Sequence, residues 1–186
     1  TMRISSYGAF TNPVAIRNLP VLNTHGAKVF WVDSNGGGGG KGTFQHPSLT
    51  IDAATALCTA NAGDVVMIKA GHSETITGAG GITFDIAGVF YVGLGTYDNR
   101  PTFLMDGAAT VTMLATAANV HIENCVFKAG HADVAVWATI TAKGFTCMDC
   151  HFEQNTTDEN FITVFSVGAA DNDADGLSLV RNSIVQ

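Results

Sequence analysis

Five windows of the chain repeat one apolar pattern, beginning at Val66, Phe90, Val120, Phe145 and Leu177. Each puts apolar or small residues at its first position, two later, five later and often seven later, as in Phe90, Val92, Gly95 and Tyr97, Val120, Ile122, Cys125 and Phe127, or Phe145, Cys147, Cys150 and Phe152. In the last window Leu177 and Leu179 are followed by Asn182. The windows are 24, 30, 25 and 32 residues apart. Self-similarity at such a period marks a solenoid, and short alternating runs make it a β-solenoid. Function in such a fold resides in outer faces, loops and ends.

A second column of strands starts near Ile82, Val111, Val136 and Phe161 and interleaves with the first, so each turn supplies at least two strands. Hydrophobic residues make up 46% of the chain and charged residues 13%, which suits a bore filled by stacked apolar side chains. The 21 glycines suit many tight corners. No run approaches the length of a transmembrane helix, and no signal peptide is legible at the N-terminus. The Thr1-Met2 start is the kind expected of a fragment or a boundary within a longer chain.

Residues 1–28 read as an extended N-terminal docking arm, and residues 29–186 as the solenoid. The arm is punctuated by Asn12-Pro13 and Leu19-Pro20 and buries too little to order itself alone. Val29 to Val32 is the first convincing strand. The glycines from Gly36 to Gly40 precede Lys41, but Asn35 and Gly42 occupy the places where a phosphate loop needs Gly and Ser or Thr. Residues 48–62 read as one amphipathic helix, capped by Ser48 or Thr50 and closed by Gly63, that covers the open end of the first coil. Nothing comparable closes the end at Gln186. The expectation there is either continuation of the chain or cover by other subunits.

The net charge of −7 is unevenly spread. Three of the nine bases, Arg3, Arg17 and Lys28, and none of the 16 acids fall in residues 1–32, which leaves 16 acids against six bases and a net of −10 in the rest. An acidic body argues against a nucleic-acid groove. A basic arm suits docking on an acidic protein surface, with Arg3, Tyr7, Phe10, Ile16 and Arg17 as the contacting residues.

The register places Cys125 and Cys150 at equivalent points of neighbouring coils, where a disulfide is conceivable but not required. Cys147 and Cys150 have the spacing of half a zinc site, yet no second such pair exists, and Cys147 falls where Ile122 and Leu179 fall; both read as core. The six histidines form no ligand pair at helical spacing. Trp31 and Trp137 sit at strand positions and read as packing residues rather than sugar platforms. Asp171, Asp173 and Asp175 alternate before a glycine in the manner of a Ca2+ loop, but the closing Glu is replaced by Asn182. A solvated acidic corner is the first reading and Ca2+ the alternative; no other cofactor is expected.

Val29-Phe30-Trp31-Val32-Asp33-Ser34, the glycine run, Pro47 to Ala54 and Gly63-Asp64-Val65-Val66 resemble the opening of right-handed parallel β-helix proteins of the pectin-lyase-like superfamily. Ala70 to Ile76, Gly80 to Thr83, Gly93-Leu94-Gly95 and Asn99 to Thr102 look most like bacteriophage virion proteins of that class. The resemblance implies an all-β, three-faced, right-handed coil, often trimeric, used on particles as a decoration protein, head fibre or spike. It also implies an N-terminal arm anchored to the major capsid protein or another virion protein.

Enzymes that resemble this scaffold cluster charges on one outer face: acids with an Arg or Lys base in lyases, paired carboxylates in hydrolases. The register aligns Asn124, Asp149 and Arg181 on successive coils and His121, Thr146 and Ser178 in another outward column. Asp149 and Arg181 are therefore the catalytic candidates, read first as an ordinary surface ion pair. The expected function is a structural phage virion protein, assembled in the host cytoplasm, oligomerising and touching neither membrane nor nucleic acid. The alternatives are a polysaccharide lyase or depolymerase and a module that binds a surface glycan.

Overall fold

A computed structural model describes residues 26–36, 40–168 and 175–185, and the backbone of 15–16 and 19–20. Those four backbone residues form a minimal antiparallel hairpin of β1 (Ala15–Ile16) and β2 (Leu19–Pro20), inside the segment expected to be an irregular arm. Arg3, Tyr7, Phe10 and Arg17 lie outside the described residues, and Ile16 is described in its backbone alone.

β3 (Val29–Val32) is followed by the helix α1 (Ile51–Thr55). The next coil holds β4 (Val65–Ile68), β5 (Ser73–Ile76) and β6 (Ala79–Phe84). Then come β7 (Phe90–Gly93), β8 (Thr102–Met105) and β9 (Thr112–Ala115), and β10 (His121–Glu123), β11 (Val126–Ala129) and β12 (Val134–Ile140). The last described coils are β13 (Thr146–Met148), β14 (His151–Gln154) and β15 (Phe161–Val167), and β16 (Ser178–Val180) with β17 (Ser183–Val185). They stack into three sheets, β3-β4-β7-β10-β13-β16, β5-β8-β11-β14-β17 and β6-β9-β12-β15, all of whose strand pairs are parallel. The chain is an all-β parallel solenoid of about four turns. Each coil thus has three faces, one more than periodicity alone resolves.

The bore is filled by columns of like residues. In the first sheet Tyr91, Ile122, Cys147 and Leu179 stand in register. In the second, Phe103, Phe127 and Phe152 do, with stacked rings 5.3 and 5.6 Å apart. Trp137 enters from the third sheet with its ring 4.5 Å from Phe127, 4.6 Å from Phe152 and 5.0 Å from Phe165. The described stack ends with Leu179 and Ile184, which hold bore positions but are 47% and 57% exposed.

Two of the five windows are out of register. Phe90 pairs with Val65 and His121 and faces outward, while its neighbours Val89 and Tyr91 are buried in the bore. Val66 matches Tyr91, not Phe90. A slip of one residue exchanges the two faces of a strand, and here the sequence gives no alternation to prevent it. β4 is buried at all four positions, because Val65, Met67 and Val92 form a second apolar cluster outside the bore, with Trp31 and Phe90 against it. Strands buried on both faces lose the period of two. Trp31 packs edge-on against Phe44 at 4.9 Å, and Lys69 Nζ lies 4.5 Å from the Phe44 ring.

The helix expected over 48–62 spans only Ile51–Thr55. Ser48 is bridged to Val32 instead, and Thr50 is the cap, its hydroxyl accepting from Ala53 N at 3.2 Å. Beyond Thr55 the chain turns back, and Gly63 (φ +76) belongs to that turn rather than to a helix end. The buried Asp64 carboxylate fixes the return by accepting from Thr59 N and Lys28 N, each at 2.7 Å. The short helix still lies over the first coil, with Ile51, Ala54 and Thr55 buried. Glu74, which shares its column with Phe103, accepts from Ile51 N at 3.0 Å. His72 holds Glu74 through Nε2 at 3.3 Å while its Nδ1 accepts from Ser34 N at 2.9 Å, which places the ring proton on Nε2.

Tyr91 ties this cap to the bore. Its hydroxyl lies 3.0 Å from Thr55 Oγ1, which donates to Ile51 O at 2.9 Å. Tyr91→Phe leaves the ring packing intact and removes one buried hydrogen bond. It is expected to cost about 1 kcal/mol, read as a fall in the urea midpoint with an unchanged slope. No helix among the described residues is long and apolar enough to cross a membrane.

Candidate functional site: a groove at the first corner of the coil

The corner between the first and second sheets is two residues long on most coils. Asn124, Asp149 and Arg181 occupy it at φ of +58, +52 and +50. Asn and Asp tolerate this left-handed conformation; for Arg it costs about 1–2 kcal/mol. On the coil below, the corner swells into the loop from Leu94 to Pro101, which contains a short 3-10 turn at Tyr97–Asn99. Asn124 supports that loop by donating through Nδ2 to Gly93 O at 2.8 Å and Gly95 O at 3.1 Å. Gly71 N donates to Asn99 O at 2.8 Å from the coil beneath.

The raised loop and the corner column enclose a groove of about 430 Å³ lined by Tyr97, Arg100, Asn124, Asp149, His151 and Arg181, with Thr96 at its edge. A second hollow of about 310 Å³ shares Tyr97, Arg100 and His151 and is continued by Asp98, Lys128 and Glu153. Tyr97 stands out of the loop, 86% exposed. The two sequence-predicted candidates meet here. Arg181 donates from Nε and Nη2 to the two carboxylate oxygens of Asp149, both at 2.8 Å. That contact holds the Arg181 guanidinium firmly protonated. Lys128 and Glu153 pair at 3.0 Å. Arg100 donates from Nε to Tyr97 O at 3.1 Å, and its terminal nitrogens make no hydrogen bond or ion pair among the described residues.

His151 is held below the ordinary imidazole value of 6.5 by burial and by the positive charge of Arg100, against the opposing pull of Glu153. It is therefore neutral at pH 7. Between its folded value and 6.5 the unfolded chain binds more protons, so stability is gained as pH rises through that window and lost as it falls. Glu153→Gln removes the group that favours the cation, and the His151 midpoint in an NMR titration is expected to move lower still.

The other predicted sites fare differently. Asp171 and Asp173 lie outside the described residues; Asp175 is exposed, and its carbonyl accepts from Gly144 N at 2.7 Å. No group of three or more His, Cys, Asp or Glu suited to a metal is present among the described residues. All four cysteines are free thiols. Cys125, Cys147 and Cys150 are buried in the bore, and burial pushes Cys125 up, as contact with Cys150 and then burial do for Cys147. Cys58 is pushed up to about 12, first by burial and then by Asp64. Such thiols are poor nucleophiles. Trp137 is wholly buried, whereas Trp31 lies on the outer side of its sheet. The repeat places Tyr97 with Phe127 and Phe152 as a stacked apolar residue, but Phe103 holds that place and Tyr97 is the most accessible ring of the groove; Arg100, its uncommitted cation, was not among the candidates. The signal was an aromatic and an Arg bracketing Asp98-Asn99 just before a proline, in a loop longer than its counterparts.

Fold and groove together define a parallel β-solenoid of pectin-lyase-like fold with a charged recess at one corner. No protein-family model and no curated protein matches the chain. Among solved structures, a rhamnogalacturonan lyase is similar, with a TM-score of 0.50 and 14% identity over 86% of this chain and 56% of that one. The chain thus spans a little over half the length of that structure, and at this identity the likeness is one of fold.

Proposed function

We propose that the chain is a non-catalytic solenoid that works by contact, as a structural component of a bacteriophage particle. The observation that carries this reading is the state of the groove's charges. Asp149 is engaged by both donor edges of Arg181, and Glu153 is engaged by Lys128. An acid and a base already bound to each other make a wall, not a reacting pair. The basic arm at residues 1–28, with Arg3, Tyr7, Phe10, Ile16 and Arg17, is then the anchor to a major capsid or other virion protein, and the body assembles as a homotrimer. Mass spectrometry of purified particles should find the chain in stoichiometric amount, and removing residues 1–28 should release it; a full-length protein recovered only free of particles overturns the reading.

A second reading, polysaccharide cleavage, is favoured by the groove itself and by the similar rhamnogalacturonan lyase. Asp98, Asp149 and Glu153 line its two hollows along with Arg100, Arg181 and Lys128. Release of unsaturated products from uronate polymers, followed by ultraviolet absorbance with and without Ca2+, decides between the two. Turnover that disappears in Asp149→Asn establishes the enzyme and removes the structural proposal.

A further inference from the structure

We propose that the outer face of the third sheet, β6-β9-β12-β15, is the surface through which this chain meets a second copy of itself. The inference deepens the reading above, which gave the assembly no surface, and rests on it only in taking self-association as a role of the body. Two observations carry it. The first is charge. Not one residue of the four strands is charged. The second sheet, by contrast, carries Lys128 and Glu153 on its outer side. The outer side of the first is filled by Val65, Met67 and Val92, with Trp31 and Phe90 against them. A chain of net −7 repels its own copy. In a two-fold contact each residue meets the same set of residues on the partner, so an uncharged face is the one that opposes no like charges. Depletion of charge is also what marks the centre of a protein interface. Charges return at the rim, where Asp85, Asp133 and Asp158 stand exposed beyond the strand ends.

The second observation is what the face presents. Phe161 points into the bore, so Ile162 points out. At 65% exposure it is the most exposed large aliphatic side chain among the described residues. Ala135, on the neighbouring strand between the Val134–Phe161 and Val136–Thr163 pairs, is exposed as well. Thr83, Leu114, Thr139 and Ser166 form one outward column across all four strands. Thr83 donates its hydroxyl to Gly80 O at 3.2 Å, and Thr112 donates to Trp137 O at 3.3 Å. A hydroxyl has one proton to give. These two have already placed theirs inside the chain, which lowers the cost of covering the face.

The extent of the face sets the strength of the contact. Four strands about 4.8 Å apart, presenting roughly six residues each at about 3.3 Å, give a footprint of about 400 Å². Two copies together cover about 800 Å², the low end for a specific contact. The pair therefore forms as concentration rises rather than being permanent.

The test is analytical ultracentrifugation of the full chain across a wide range of concentrations. The mass should rise above that of the monomer. The rise should grow as salt is added, because screening relieves the repulsion between two acidic chains and leaves an uncharged contact untouched. Chemical-shift changes on concentrating the protein should centre on Leu114, Thr139 and Ile162. Ile162→Lys should weaken association about ten-fold or more, with circular dichroism unchanged because the side chain is exposed. Thr75→Lys puts the same charge at an exposed position of the second sheet and should not weaken it. A monomer at every concentration, association that weakens with salt, undiminished association in folded Ile162→Lys, or an equal loss in Thr75→Lys each overturns the proposal. A chain that joins particles but stays monomeric sinks this inference alone. A chain that pairs through this face and never joins particles supports it and sinks the particle reading.

Discussion

Replacing Trp137 by Ala is expected to destabilise the solenoid by about 3–5 kcal/mol, the range for deleting a large buried aromatic. Trp137 is fully buried and its ring meets those of Phe127, Phe152 and Phe165 within 4.5–5.0 Å. Those partners come from β11, β14 and β15, so one side chain bridges two coils and two sheets. The cavity cannot close by local collapse, because each neighbour is fixed by its own ladder of parallel hydrogen bonds. A urea titration followed by far-ultraviolet circular dichroism reads the loss directly. Trp137→Phe should cost clearly less. It leaves a smaller void, and it also removes an indole Nε1–H that has no hydrogen-bond partner in the bore. If both variants lose equally, the ring contacts are not what holds the coils together.

Replacing Gly95 by Ala should cost about 2–3 kcal/mol and dismantle the groove. Gly95 sits at φ +93, where a Cβ is strained by about 1–3 kcal/mol. The added atom would also stand 2.3 Å from Asn99 O and 3.0 Å from Ala70 Cβ. The first contact is with backbone and cannot be relieved by a rotamer change. The loop has to lift, and with it go Tyr97, Arg100 and the Asn124 bond to Gly95 O. Thermal unfolding measures the stability loss, and the NMR resonances of Tyr97 and His151 report the displaced loop. A folded Gly95→Ala protein with unmoved Tyr97 and His151 signals contradicts the account of how the loop is held.

The corner column was legible because it is local and repeated. Asn124, Asp149 and Arg181 share a place in the period, and parallel stacking at about 4.8 Å brings equivalent residues of adjacent coils together. The Asp149–Arg181 pair follows from that arithmetic. The same arithmetic misplaced Tyr97 and was silent on Arg100, because both stand in a loop present on one coil and absent from the others, and a period says nothing of an insertion. The cap was half legible. Thr50 as a helix start is a local matter, whereas the return beyond Thr55 is held by Asp64, whose carboxylate meets both Thr59 N and Lys28 N only once the first coil has closed.

The repeat by itself determined that this chain stacks as a parallel solenoid, which residues of the late coils face the bore, and which ones meet at the corner, since all three follow from spacing. The tertiary structure alone decided the facing of β7, the offset of β4 against the later coils, the length of the cap and the existence of the groove. Those depend on apolar groups buried on both sides of one sheet, on a carboxylate 36 residues from the backbone it holds, and on a loop propped by an asparagine of the next coil. Each is a contact between distant residues that leaves no period in the sequence.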